Sequence, residues 1–96
     1  MKQILLTRTS GYMAFATDPV TIKFTPKIRR YEYGQIIGMD CPDKLIQQEL
    51  WYEMRFRLNK IIRCKVLEIR PYERIKKNKM LIVGIYLNGV DVRSLL

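Results

Sequence analysis

The chain has 96 residues, enough for one compact core and no more. Eighteen Lys and Arg stand against 9 Asp and Glu, and the net charge of +9 points to a polyanionic partner, nucleic acid before an anionic membrane. The absence of His excludes His-based acid–base chemistry, Ser–His and Cys–His nucleophile pairs and most zinc sites.

At the start, Met1-Lys2 leads into the short apolar run Ile4-Leu5-Leu6, and Ala14-Phe15-Ala16 has the form of a small-residue cleavage site. A secretory segment needs about 7–15 apolar residues, and Thr7-Arg8-Thr9 breaks the run. We therefore expect no signal peptide and an intracellular, cytoplasmic protein. Nothing approaches the ~20 apolar residues of a membrane span, so no membrane partner is expected.

Residues 4–9 suit a short strand, Ser10-Gly11 a turn, and Tyr12 to Ala16 a second strand-like run. After Asp18-Pro19, Val20, Ile22 and Phe24 alternate with Thr21, Lys23 and Thr25, the period-2 pattern of a half-buried strand. Pro26 is expected to end it. Tyr31 to Met39 is the next strand candidate.

Asp40-Cys41-Pro42-Asp43 suits the start of a helix, with Pro at the first position and acidic groups at the positive end of the dipole. From Lys44 to about Asn59, Ile46, Leu50, Met54 and Leu58 recur every fourth residue beside Trp51, predicting one apolar stripe. Ile61 to Ile69 reads as a strand and Arg70-Pro71 as a polar connection. Lys76-Lys77-Asn78-Lys79 is a basic loop, Met80 to Leu87 a strand, and Asn88-Gly89 a tight turn before a final segment of helical promise.

This order predicts a mainly β domain with one main helix, closed as a small five-stranded OB-fold barrel with the helix packed at one end. Residues 1–96 form a single domain. Cys41 and Cys64 make no C-x-x-C pair, and two buried free thiols are the expectation. Arg29, Arg30, Tyr31 and Tyr33 interleave cations with aromatic rings, which suits stacking of bases beside held phosphates; a charge-protected edge strand explains the same residues.

Gln35-Ile36-Ile37-Gly38-Met39-Asp40-Cys41-Pro42-Asp43 resembles the R-[LI]-I-G-I-D-[CT]-P-E segment of staphylococcal-nuclease-like domains. Ile85-Tyr86-Leu87-Asn88-Gly89 is similar to that family's I-Y-L-N-G stretch, and residues 58–62 fit the segment between. The resemblance runs from about Ala14 to Leu96. It implies an OB-type barrel and calcium-dependent phosphodiester cleavage of DNA or RNA, with carboxylates on the ion and two arginines on the phosphoryl group.

Residue by residue, the resemblance makes Asp40 the metal ligand, with the backbone carbonyl of Cys41 beside it. Asp43 falls at the catalytic Glu, one methylene short. Gln35 replaces one arginine and Met80 the other. Val20 stands at the second metal-binding Asp, leaving Asp18 as the carboxylate nearest that place. Missing charge donors cost about 3–4 kcal/mol each at such a site. The expectation is thus a single-stranded DNA- or RNA-binding domain with cleavage lost or strongly impaired. The alternatives are a Ca²⁺-dependent phosphodiesterase, with Ca²⁺ as its cofactor, and a protein-interaction scaffold. Asp40 and Asp43 serve equally as caps of a helix start. Lys76, Lys77 and Lys79 suit a phosphate clamp or a solvated loop. The resemblance also implies that the family's C-terminal helices are lacking, which would expose an apolar C-terminal end suited to homo-oligomerisation.

Overall fold

The computed structural model describes residues 10–75 and 80–96. The expected strand at residues 4–9 and the lysines Lys76, Lys77 and Lys79 lie outside the described residues. Strands β1 (Met13–Asp18), β2 (Thr21–Ile28) and β3 (Tyr31–Ile36) precede helix α1 (Gln48–Ile62). Strands β4 (Glu68–Ile75), β5 (Met80–Leu87) and β6 (Val90–Asp91) follow, then a 3₁₀ helix over Val92–Leu95.

The described residues are mainly β with one α-helix. The strands join in the order β1-β2-β3-β5-β4, with β6 paired to β5. Among the described residues only β3 and β5 run parallel, and α1 is part of the crossover between them. The ladders make an open sheet rather than the expected closed barrel. The outer strands meet through one isolated bridge, in which the Tyr12 and Leu67 backbones exchange hydrogen bonds of 3.0 and 2.7 Å.

Alternation explains which faces are buried. Ala14 and Ala16 point inward from β1 while Met13 and Phe15 point out. Ile22 and Phe24 of β2, Ile36 of β3, Ile69 of β4, and Leu81, Val83 and Ile85 of β5 join them in one core. Leu58 and Ile62 of α1 close it, together with Val92. Gly34 sits where β3 crosses β5: a Cβ there would lie 2.9 Å from Val83 Cγ2 and 3.3 Å from Phe24 Cε2. The small inward residues of β1 similarly admit the helix.

Pro26 does not end β2. The strand runs on to Ile28, but its pairing with β3 shifts register between Lys23 and Ile28, across the residue that has no N–H to give. The third strand stops at Ile36, three residues short of Met39. Arg70 and Pro71 lie within β4 rather than in a connection, and Pro71 is buried. A register shift beyond Pro71 accommodates it.

The helix differs most from expectation. Asp43 Oδ1 accepts from the N–H groups of Leu45 and Ile46, and the Gln47 N–H donates to the Asp43 carbonyl. These bonds close a separate turn, and α1 begins after it at Gln48. The four-residue stripe therefore runs through a turn and breaks: Ile46 is 82% exposed, and the buried face is Trp51, Leu58 and Ile62. The helix continues to Ile62 where a strand was expected from Ile61. Asn88 and Gly89, with φ of 52° and 80°, make the tight β5–β6 turn that the sequence signals. The last segment becomes β6 and a 3₁₀ helix, tied back by Arg93, which donates to the Ile37 carbonyl at 3.0 Å.

Candidate nucleic-acid interface

The outward face of the sheet carries its chemistry in rows set by register. Phe15 of β1 stands opposite Lys23 of β2, and Lys23 opposite Tyr33 of β3. Directly opposed side chains in a sheet have Cβ atoms about 4.5–5.5 Å apart. The three residues therefore form one continuous aromatic–cation–aromatic row. Phe15 is 45% and Tyr33 39% exposed, and Lys23 Nζ lies 5.7 Å from the Tyr33 ring centroid. Gln35 follows Tyr33 on the same face, half-buried between Thr21 and Ile82.

Arg29 and Arg30 are exposed at the tip of the two-residue β2–β3 turn, just beyond this row. Arg29 has a φ of 56°, a left-handed conformation that favours glycine. Tyr31, expected as a stacking ring, is instead half-buried and packs on the core. The row thus uses Phe15 and Lys23, which sequence reasoning missed. The alternation in β1 marks Phe15 as outward, but only the β1–β2 and β2–β3 registers bring it into line with Tyr33.

Farther along the face, β4 and β5 hold a second aromatic–cation group. The Arg70 guanidinium lies 4.1 Å from the Tyr86 ring centroid and is hydrogen-bonded by Glu68, which pushes the Arg70 pKa up. Burial, then the hydrogen bond with Tyr72, push the Tyr86 phenol up. Both tyrosine rings reach over Gly84, where a Cβ would meet Tyr86 Cε2 at 3.2 Å and Tyr72 Cε2 at 3.3 Å. These rings and this cation satisfy one another, so the group is a poorer platform for a base than the Phe15–Lys23–Tyr33 row.

The carboxylates are spread along loops. Asp18 ends β1 and accepts from the Val20 N–H at 2.9 Å, as a turn-forming aspartate does. Asp43 caps its own turn, and Asp40 is exposed between β3 and that turn. Cys41 is exposed, contrary to the buried thiol expected, and so is Cys64. Slight burial raises the Cys41 thiol pKa, Asp18 and Asp43 add to that rise, and a hydrogen bond with Trp51 opposes it. Among the described residues no three His, Cys, Asp or Glu side chains gather as a metal-holding group. Calcium takes 6–8 oxygen ligands, and these residues do not fit it. Met80 opens β5 opposite Ile75, half-buried and without charge.

Neither a protein-family model, nor a curated protein, nor a solved structure matches this chain. Among the described residues, no helix is long and apolar enough to cross a membrane.

Proposed function

We propose that this protein is a staphylococcal-nuclease-like, OB-type domain that binds single-stranded nucleic acid and does not cleave it. The observation that carries the reading is the exposed Phe15–Lys23–Tyr33 row on a chain of net charge +9. Aromatic rings offer every base a face to stack on, and interleaved cations hold the backbone between them. The fold supports the same reading. The order β1-β2-β3-β5-β4, the helix between β3 and β4 and the Tyr12–Leu67 bridge between the outer strands favour an OB-like arrangement, although the sheet itself is open. In such barrels the β2–β3 face and the β4–β5 loop bind oligonucleotides. The sequence places Lys76, Lys77 and Lys79 between β4 and β5.

Cleavage lacks support because Gln35 and Met80 offer no guanidinium and the carboxylates do not converge. Fluorescence anisotropy with labelled single-stranded 16-mers tests the binding. We expect affinity that falls steeply with salt, and a roughly 5- to 150-fold loss for Phe15→Ala or Tyr33→Ala, from about 1–3 kcal/mol of stacking per base. Both rings keep more than half of their surface covered and pair across strands, so each variant should lose about 0.2–1 kcal/mol of stability while staying folded, and binding is compared below its Tm. Absence of binding at low salt, or ring variants that bind as well as wild type, would overturn the reading. The same oligonucleotides incubated with calcium or with a chelator should stay intact in both.

A further inference from the structure

Helix α1 presents a second aromatic and cationic surface. Tyr52, Phe56, Lys60 and Arg63 follow one another at three- and four-residue spacing and, with Arg55 and Asn59, line a groove of about 600 Å³. Phe56 is 65% and Tyr52 45% exposed. Lys60 Nζ lies 5.9 Å from the Phe56 ring centroid, and Lys44 Nζ 5.4 Å from that of Tyr52. No carboxylate lines the groove. Lys60 and Arg63 near the end of α1 suit the helix dipole, but the dipole gives no reason for two exposed rings beside them.

The position of the groove is fixed by two hydrogen-bonded side chains. Asn59 and Arg55 both bond to the backbone of Ala16, the residue next to Phe15. The groove therefore opens beside β1, the strand that begins the row on the sheet. We propose that a single strand of nucleic acid bound on the β1–β3 face continues past β1 into this groove. There its bases stack on Tyr52 and Phe56, and its phosphates meet Lys44, Lys60 and Arg63. Charge complementarity selects the occupant: Arg55, Lys60 and Arg63 line the groove with no carboxylate among its described lining residues, Lys44 lies over the Tyr52 ring, and both rings have base-stacking exposure. The inference rests on the proposed binding by the sheet face and extends it to a longer footprint.

Oligonucleotide length separates the two. Single-strand site sizes of OB domains run from about 4 to 16 nucleotides, so labelled 4-mers and 16-mers are titrated against wild type, Tyr52→Ala/Phe56→Ala and Lys60→Gln/Arg63→Gln. Both double variants should bind the 4-mer as wild type does and the 16-mer at least 10-fold more weakly. Removing two phosphate contacts should also lower the log–log salt slope for the 16-mer by about 1.4. Unchanged 16-mer binding, or equal losses at both lengths, would overturn the inference. Variants that instead lose binding only to anionic lipid vesicles or to an acidic peptide would assign the groove to another partner. Phe15→Ala must weaken both lengths; if it does not, the sheet-face reading fails while the groove result still stands by itself.

Discussion

Asn59 is the residue on which the junction of helix and sheet most depends. Ala16 is fully buried on the open side of β1, and its backbone would otherwise lack partners there. The Asn59 side chain acts as a substitute strand: Oδ1 accepts from the Ala16 N–H at 2.6 Å, and Nδ2 donates to the Ala16 carbonyl at 3.2 Å. Arg55 Nε also donates to that carbonyl, at 3.3 Å. In Asn59→Ala the carbonyl keeps Arg55, but the N–H is orphaned. An unsatisfied buried donor costs about 1–3 kcal/mol and the second lost bond about 0.5–1.5. We expect a loss of roughly 2–4 kcal/mol in urea unfolding and a fall in Tm of roughly 10–25 °C for a domain of this size. Arg55→Ala removes only one of the two donors to the carbonyl and should cost about 0.5–1.5 kcal/mol. Amide exchange at Ala16 should accelerate in Asn59→Ala more than at residues of β5. A loss below about 0.5 kcal/mol, the usual range of an inconsequential surface change, would refute the role given to Asn59.

Two further predictions concern the ends of α1 and of the chain. Cys64 has a φ of 61° in the turn where the Lys65 N–H donates to the Ile62 carbonyl, a position that favours glycine, so Cys64→Gly should raise stability by about 0.5–1 kcal/mol in thermal or urea unfolding. The Arg93 side chain hydrogen-bonds the Asp91 carboxylate and holds its pKa below the ordinary value. A depressed carboxylate stabilises the fold fully above its unfolded pKa, about 3.9, and that contribution is lost as pH falls below this towards the folded pKa. Unfolding followed from pH 6 to pH 2 should therefore show a weaker acid dependence in Asp91→Asn than in wild type, and equal slopes would remove the pair from the account.

Much of the domain was written in local pattern. The alternation at residues 20–25 and the β-prone apolar run at residues 80–87 each gave a strand, the first because period-2 apolar sequence buries one face, the second because a short continuous apolar run suits a strand covered on both faces. Asn88-Gly89 gave its turn because few other pairs tolerate two left-handed residues in succession. The cationic excess depends on no fold at all. The helix was legible as a helix, and so were Trp51 and Leu58 on its buried face, but its start and its end were not: Asp43 satisfies its own turn, an alternative to helix that spacing alone does not reveal, and Ile62 joins the buried face where a strand was expected. Pro26 and Pro71 read as strand ends, yet pairing shifts let both strands continue.

What only the tertiary structure decided is which residues meet. Phe15, Lys23 and Tyr33 belong to three strands and become a row through register, and register depends on how each strand pairs with its neighbours. Asn59 looked like one polar residue near a helix end until the chain folded it against Ala16. Of the carboxylates that stand close to the staphylococcal-nuclease pattern in sequence, Asp18 and Asp43 are drawn into separate local turns and Asp40 is exposed between them in the chain. Short-range periodicity thus determined most of the elements, and composition alone the net charge. Long-range pairing decided the surface, because side chains distant in sequence share a face only after the backbone hydrogen bonds have fixed their alignment.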